Sequence, residues 1–440
     1  VTSWDFFDTL SGRATGHEPW RLFDLVAGEE YRRLRQEAER QSNKTWGDIF
    51  RRLGELTGWP AARIAELKAR EWELEVQSAF PIHENVSRLR PGDVIVSDTY
   101  FSEPQVRELA ARIGVPRSVR IFVSWDGKFS GRWWSDPRRP ACERHVGDNT
   151  RSDVIRPRSA GVQAEHYAGG APTPSEKRLE ALGHWDMAAA ARAARLQNPH
   201  PPKSEPAAWW DNAAAANVPF LLMAAALVRD YAQAARPARV AFVSRDAILL
   251  GEAYCKIYGQ PCDVLHASRQ TLMEPSADFL TYVKRAAAGT LFVDLHGTGK
   301  SVRQFAAQTG VELAYLFVCG QRTLPGLYPR LVTLNGIGVG TGVEVMNYHH
   351  EGRVVDVVGG RPVRAAVEYD LEVVNVHRAA TLAGIAAACR PPVGVTPEQA
   401  AAAAADVAAR VPRRLRAQHQ VHHHGQGSPA RARRVRRRSR

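Results

Sequence analysis

Cysteine is scarce and unpatterned in this chain. The five residues Cys142, Cys255, Cys262, Cys319 and Cys389 form no Cys-x-x-Cys pair and no zinc-ligand spacing. That excludes a disulfide framework and a zinc module, and it fits small buried apolar thiols in a reducing compartment. Long hydrophobic runs are absent as well: the most apolar stretch, Val218–Val228, is short and interrupted by Pro219. No membrane span is expected, since a span needs about twenty apolar residues. The first residues lead almost directly into an apolar strand, without the basic segment and apolar core of a secretory signal, so a cytoplasmic location is expected. There is no internal repeat.

Acidic residues are missing from one region in particular. The formal net charge is +13, and Arg410–Arg440 holds eleven Arg, no Lys and no Asp or Glu. Removing those eleven charges leaves +2 for the rest, so the basicity belongs to the tail. The tail also carries His422, His423 and His424 among Gly and Pro, and this composition predicts a solvated, disordered segment. A nucleic-acid partner is not expected except through that tail, and the triple His is not expected to form a functional metal site.

The 44% hydrophobic content suits a globular chain, and 440 residues suit two or three domains. The chain opens on a strand pattern, Ser3–Phe7. Helical spacing follows over about 18–80, carried by Leu22, Leu25 and Val26, by Ile49, Leu53 and Leu56, and by Ile64, Leu67, Trp72 and Leu74. Asp93–Ser97 and Val119–Ser124 read as strands, Glu103–Ile113 as a helix, and a further strand ends at Val146. Pro-rich segments at Ala171–Ser175 and Asn198–Glu205 read as linkers around a short Ala-rich helix. A helix over 209–235 precedes a second set of strands at Arg239–Val243, Asp263–His266, Thr290–Asp294 and Ala314–Val318. An Ala-rich helix at Ala400–Ala409 leads into the tail. Short apolar strands alternating with helices predict an α/β fold with parallel sheets.

Four segments place polar groups at the ends of successive strands in the first part, where open α/β sheets bind ligands. They are Asp5; Ser97-Asp98; Lys128 in Trp125-Asp126-Gly127-Lys128; and Gly147-Asp148-Asn149, with Asp153 five positions after Asp148. A carboxylate attacking phosphate must have its charge offset, which magnesium and an ammonium group both supply. A hydroxyl holds a phosphoryl oxygen without adding charge.

This ordered set resembles the four motifs of the haloacid-dehalogenase-like (HAD) superfamily over residues 1 to about 165. The resemblance implies a Rossmann-like domain with a helical cap inserted after the first strand. Asp5 would be the nucleophile, Ser97 and Asp98 the phosphate-binding segment, and Lys128 the charge neutraliser. Asp148, Asp153, Asp5 and the Phe7 carbonyl would hold Mg2+. One departure stands out: the family places an acidic proton donor two positions after the nucleophile, and here that residue is Phe7. Asp8 follows it, and serves either as the displaced acid or as a turn carboxylate. A bacterial subgroup beginning Phe-Asp-x-Phe-Asp-Thr-Leu, often linked to polysaccharide or secondary-metabolite genes, looks similar. Arg32, Arg33, Arg35 and Glu39 line the cap or lie on a solvated face, with Arg35–Glu39 as a surface pair.

Leu291–Ser301 runs from an apolar strand into Gly297-Thr298-Gly299-Lys300-Ser301 and a helix. A nucleotide P-loop is excluded, because Asp294 stands where its first Gly is needed. The segment resembles the phosphoribosyl-diphosphate (PRPP) loop of type I phosphoribosyltransferases, over about 237–340. Thr298, Gly299, Lys300 and Ser301 would cradle a monophosphate, and Asp294 would meet ribose hydroxyls. Arg245, Asp246 and Arg269 would serve pyrophosphate, Arg because its planar fork binds oxyanions in pairs. Val293 replaces the first of the family's two adjacent acids. Asn347, Tyr348, His349 and Glu368 carry no assignment.

The expected layout is a HAD-like domain over 1–170 with its cap at 14–88, and a linker with a short helix at 171–208. A phosphoribosyltransferase-like α/β domain at 209–395 follows, then the Ala-rich helix and basic tail at 396–440. Together the two sites imply an enzyme that transfers phosphoribose from PRPP to an acceptor and then removes the phosphate, for net ribosylation in a specialised metabolite or glycan pathway. One alternative is a sugar-phosphate phosphatase whose C-terminal domain only binds a phosphorylated small molecule. Another is a non-enzymatic sensor or scaffold with degenerate sites.

Overall fold

A computed structural model describes residues 1–321, 330–335 and 337–416. The expected basic tail beyond residue 416 lies outside the described residues. The chain divides into two compact units: Val1–Ala207 with Ala386–Arg390, and Ala208–Ile385 with the chain from Pro391 on.

The first unit is built on a five-stranded parallel sheet. In spatial order its strands are Arg120–Ser124, Val94–Asp98, Thr2–Trp4, Arg144–Gly147 and Gln163–His166. The strand order reverses between Thr2–Trp4 and Arg144–Gly147, and a crevice for ligands opens outside the carboxyl ends at such a switch point. Trp4, Phe6, Ile95, Val106, Leu109 and Val146 form the core beside it. The opening strand ends at Trp4, earlier than its apolar pattern suggests, and the polar edge strand Gln163–His166 was not foreseen.

Between Thr2–Trp4 and Val94–Asp98, a hairpin of Ser11–Arg13 and Ala79–Pro81 brackets three helices, Trp20–Gln41, Trp46–Thr57 and Ala61–Ser78. The middle one starts where Thr45 accepts the Asp48 N–H and stops at left-handed Gly58. Arg35 is not half of a surface pair. It is fully buried, bonding Glu71 at 3.0 Å on the third helix as well as Glu39 at 2.9 Å.

The short Ala-rich helix expected within the linker at 171–208 is present, and it is packed rather than free-standing. Helices Pro174–Ala181 and Trp185–Leu196 fold within the first unit, and Ala190, Ala193 and Ala194 are completely buried. Small alanine side chains allow this close approach, and in the sequence they resemble low-complexity spacer.

The second unit carries another five-stranded parallel sheet, ordered Arg330–Leu334, Ala314–Gln321, Thr290–Gly297, Arg239–Val243 and Asp263–Leu265. Its switch point lies between Arg239–Val243 and Thr290–Gly297. A hairpin of Val354–Val358 and Arg361–Arg364 turns through Gly359 and Gly360, both at positive φ. The helices Ala213–Asn217 and Val218–Ala235 belong to a run, Glu205–Ala235, long and apolar enough to cross a membrane, but 83% of its apolar window is buried inside the protein. The expected Ala-rich helix is present as Pro397–Ala409 and packs by Ala400, Ala404 and Val407.

Cysteine pairing is a correction. Cys255 and Cys262 form a disulfide. Left-handed Gly259 caps helix Ile248–Tyr258 and returns the chain towards Cys255, so a spacing outside the usual motifs still brings two thiols together. Cys319 is buried, Cys142 half-buried and Cys389 exposed.

Candidate active site

Asp5 follows the central strand of the first sheet, its N–H bonded to the Val146 carbonyl at 2.8 Å. Its carboxylate is buried and bonded to the Lys128 ammonium, which also donates to Asp153 Oδ1 at 2.7 Å. Lys128 comes from the short turn after Arg120–Ser124, and Asp153 from the turn after Arg144–Gly147. Asn149 shapes that second turn by accepting the Arg151 and Ser152 amides at 2.9 and 3.1 Å, and its own N–H donates to Asp153 Oδ2 at 3.0 Å. Asp5, Asp148 and Asp153 each offer an oxygen within 4.8 Å of the others. Thr9 Oγ1 lies between two of them, 3.5 Å from Asp5 Oδ2 and 3.4 Å from Asp148 Oδ1.

Burial raises the Asp5 carboxyl well above its ordinary range; Lys128 opposes the shift, and Asp153 and Asp148 add to it. Burial, then Asp8 and Asp153, raise Asp148. Burial would raise Asp153 too, but Lys128 and His145 outweigh it and hold Asp153 below its ordinary range. Burial would also lower Lys128, and its two carboxylate partners prevail and keep it protonated. The cluster is three acids against one ammonium. An all-oxygen, acid-rich set of this kind fits a hard divalent cation such as magnesium, manganese or calcium.

Ser97, one residue before the end of its strand, has its Oγ buried and without a partner, as a hydroxyl kept for a ligand oxygen would be. Asp98, expected beside Ser97 in the phosphate-binding segment, has its carboxylate engaged by the protein itself. Its Oδ1 accepts from Ser124 Oγ at 2.7 Å and the Lys128 N–H at 3.0 Å, and its Oδ2 accepts from the Phe129 N–H at 2.9 Å. Asp98 therefore shapes the loop that presents Lys128.

Phe7 packs against Phe6 and Phe101, with the Arg13 guanidinium 4.2 Å from its ring centroid. Asp8 adopts φ 55, a left-handed conformation uncommon outside Gly, Asn and Asp. Its carboxylate turns to Arg192 at 2.7 Å and faces His17 at 3.9 Å. Burial would raise its pKa, but His17, Arg192 and Arg13 hold it low, so Asp8 is an ion-paired carboxylate and not a protonated acid.

Two residues here escaped sequence reasoning. Arg192 belongs to the segment taken for a linker. His145 is fully buried, with Nε2 3.1 Å from Asp153 Oδ1 and Nδ1 2.9 Å from Ser3 Oγ. Burial lowers its pKa, which keeps the ring neutral. Its place one residue before Val146 in a strand whose end carries Asp148 was the available signal.

In the second unit, Arg245 and Asp246 follow Arg239–Val243, and Asp294 lies within Thr290–Gly297, across the switch point. Arg245 bonds Asp246 at 3.0 Å and lies 3.6 Å from Glu344, with its guanidinium 4.2 Å from the Tyr348 ring centroid. Asp246 is pushed up to about 7 by burial, with Glu344 adding and Arg245 opposing. Asp294, which accepts the Tyr315 hydroxyl at 2.9 Å, is pushed up to about 7 by burial and then by Asp246. Arg269 begins a short helix and contributes its field at Glu344 and His296. Gly299 at φ 77 caps helix Lys300–Thr309, and its left-handed conformation turns Thr298–Ser301 from strand into helix. Glu344 and His296, whose Nε2 is buried without a partner, were not foreseen.

No protein-family model matches the chain, and no curated protein matches it.

Proposed function

We propose that the first unit is a magnesium-dependent phosphatase that works through a phosphoryl group carried on Asp5. The observation that carries this reading is the meeting of Asp5, Lys128, Asp148 and Asp153, from three distant segments, at one sheet switch point. An Asp5 oxygen forms a bond to phosphorus while the bond to the leaving oxygen breaks and its electron pair departs with that oxygen. Water then cleaves the acyl phosphate and restores the carboxylate. Lys128 offsets the approach of two anions, and Ser97 holds a phosphoryl oxygen. Asp5, Asp148, Asp153 and the Phe7 carbonyl would hold the cation, which supplies charge stabilisation on the transferring phosphoryl.

With Phe7 in the place of an acid and Asp8 tied to Arg192, no carboxylic acid is poised to protonate the leaving oxygen. This favours leaving groups that depart as anions, such as those of acyl phosphates, phosphoanhydrides and aryl phosphates. Hydrolysis of p-nitrophenyl phosphate should require Mg2+ and disappear in Asp5→Asn. Equal turnover by that variant would overturn the reading.

For the second unit, the reading is a PRPP-type ligand with its phosphate at Thr298–Ser301 and its ribose at Asp294, and phosphoribosyl transfer coupled to dephosphorylation as the combined activity. The left-handed Gly299 turn at a helix start supports it. The pairing of Arg245 with Asp246 and Glu344 favours the plainer alternative, a phosphate-binding domain without transfer. Calorimetry with PRPP and with ribose 5-phosphate separates the two: transfer requires pyrophosphate release in the presence of an acceptor.

A further inference from the structure

A cavity of about 460 Å³ in the first unit opens beside the first part of helix Trp20–Gln41, and the phosphatase reading uses none of it. The helix on its wall is broken. Ala27 and Gly28 leave the helical region, Gly28 at φ 82, and Gly28 lines the space. Arg390 donates to the Asp24 carbonyl on the same wall at 3.0 Å. Two of the lining acids are already matched, because Arg32 lies 2.9 Å from Asp24 and 2.9 Å from Glu29.

The side chains of three other lining groups make no hydrogen bond or ion pair among the described residues. Thr15 is 6% exposed, and its hydroxyl has no hydrogen-bond partner. Arg21 makes no ion pair, and its Nε is buried without an acceptor. Asp186 accepts no hydrogen bond, and burial raises its pKa against the weaker pull of Arg390 and Arg21. Thr15 Oγ1 and Arg21 Nε are buried without a partner beside the half-buried Asp186 carboxylate, and because buried polar groups are nearly always satisfied, this set favours a ligand that supplies their complements.

The indoles fix what Arg21 can bind. Its guanidinium carbon lies 3.6 Å from the Trp185 ring centroid and 4.5 Å from that of Trp20. At 3.6 Å the planes must be face to face, which leaves the N–H edge for an oxyanion held in bidentate fashion. Asp186 stands close enough to feel Arg21, and it would repel a dianion such as phosphate while attracting an ammonium group. We infer that this cavity is a binding site for a free α-amino acid, with the carboxylate on the edge of Arg21, the ammonium group on Asp186, and the side chain towards Leu25. The volume falls in the range of roughly 300–1,000 Å³ usual for small-ligand pockets.

The test is calorimetric titration of the full chain with each of the twenty L-amino acids. For any that binds, its deaminated acid and decarboxylated amine follow. At least one amino acid should bind, and each truncated analogue should bind roughly tenfold more weakly or worse, as expected on losing a charge-assisted bond. Arg21→Met and Asp186→Asn should each weaken binding by a similar factor while Asp5-dependent turnover of p-nitrophenyl phosphate persists. Where Arg21→Met fails to fold, Asp186→Asn and the analogue series decide. No binding by any amino acid, equal binding by the deaminated acid, or indifference to both substitutions would overturn the site. The inference stands apart from the phosphatase reading, and either can fail alone.

Discussion

Arg192 reaches Asp8 at 2.7 Å, and this contact takes the acid nearest in sequence to the proposed nucleophile out of proton transfer. The rate should therefore depend steeply on the leaving group. Across a series of aryl phosphates, kcat/KM should fall steadily as the pKa of the phenol rises, and alkyl phosphates should be poor substrates, because general acid catalysis worth about 10²–10⁴ is missing. A shallow dependence that becomes steep in His17→Gln would instead make His17 the proton donor.

The same pair sets an acid limit on stability. Asp8 is held below its ordinary value of 3.8, so its contribution is fully present above that value and is lost as pH falls through the lower folded value. Arg192→Met, which removes the guanidinium bonded to the buried Asp8 carboxylate and leaves it only His17 and the field of Arg13, should cost about 3 kcal/mol at pH 7. In denaturant melts that difference should shrink below pH 4 or so, as Asp8 becomes protonated in both proteins. A constant difference across pH would show that packing, not charge, is what Arg192 provides.

His145 should act through Asp153. It touches that carboxylate at 3.1 Å from a fully buried position, and groups that orient metal ligands typically govern about 10–100-fold in affinity. His145→Phe should raise the Mg2+ concentration for half-maximal rate by about that factor, with a smaller effect at saturating Mg2+. An unchanged Mg2+ dependence would make His145 a packing residue only.

Lys128 is the sole cation bonded to Asp5 and Asp153 among the described residues. Lys128→Met should lower kcat by about 10²–10³. Mg2+ should still raise the melting temperature of the variant, because the three carboxylates remain and a ligand bound only by the folded state stabilises it. If Mg2+ stabilised neither protein, the cation would not be held by these acids.

The strand-end chemistry was legible in the sequence because each piece is local. Asp5, Ser97, Lys128, Asp148 and Asp153 each follow a short apolar strand, and parallel sheets gather such ends at one edge. What stayed hidden depends on partners distant in sequence. Arg192 lies on an alanine-rich helix that looks like spacer until its buried face is seen. Asp98 is indistinguishable from a ligand-binding acid until Ser124 and the amides of Lys128 and Phe129 are found on it. The edge strand Gln163–His166 has no apolar alternation to announce it. In the second unit, Arg245 carried the right chemistry for pyrophosphate, while Glu344 and Tyr348, which occupy it, lie about a hundred residues on.

The most direct test of the account is to incubate the protein with a radiolabelled aryl or acyl phosphate in Mg2+, quench with acid, and map the label. The account predicts a hydroxylamine-sensitive phosphoryl group on Asp5, absent from Asp5→Asn. Steady turnover with no label on the protein, or a label that survives Asp5→Asn, would contradict it.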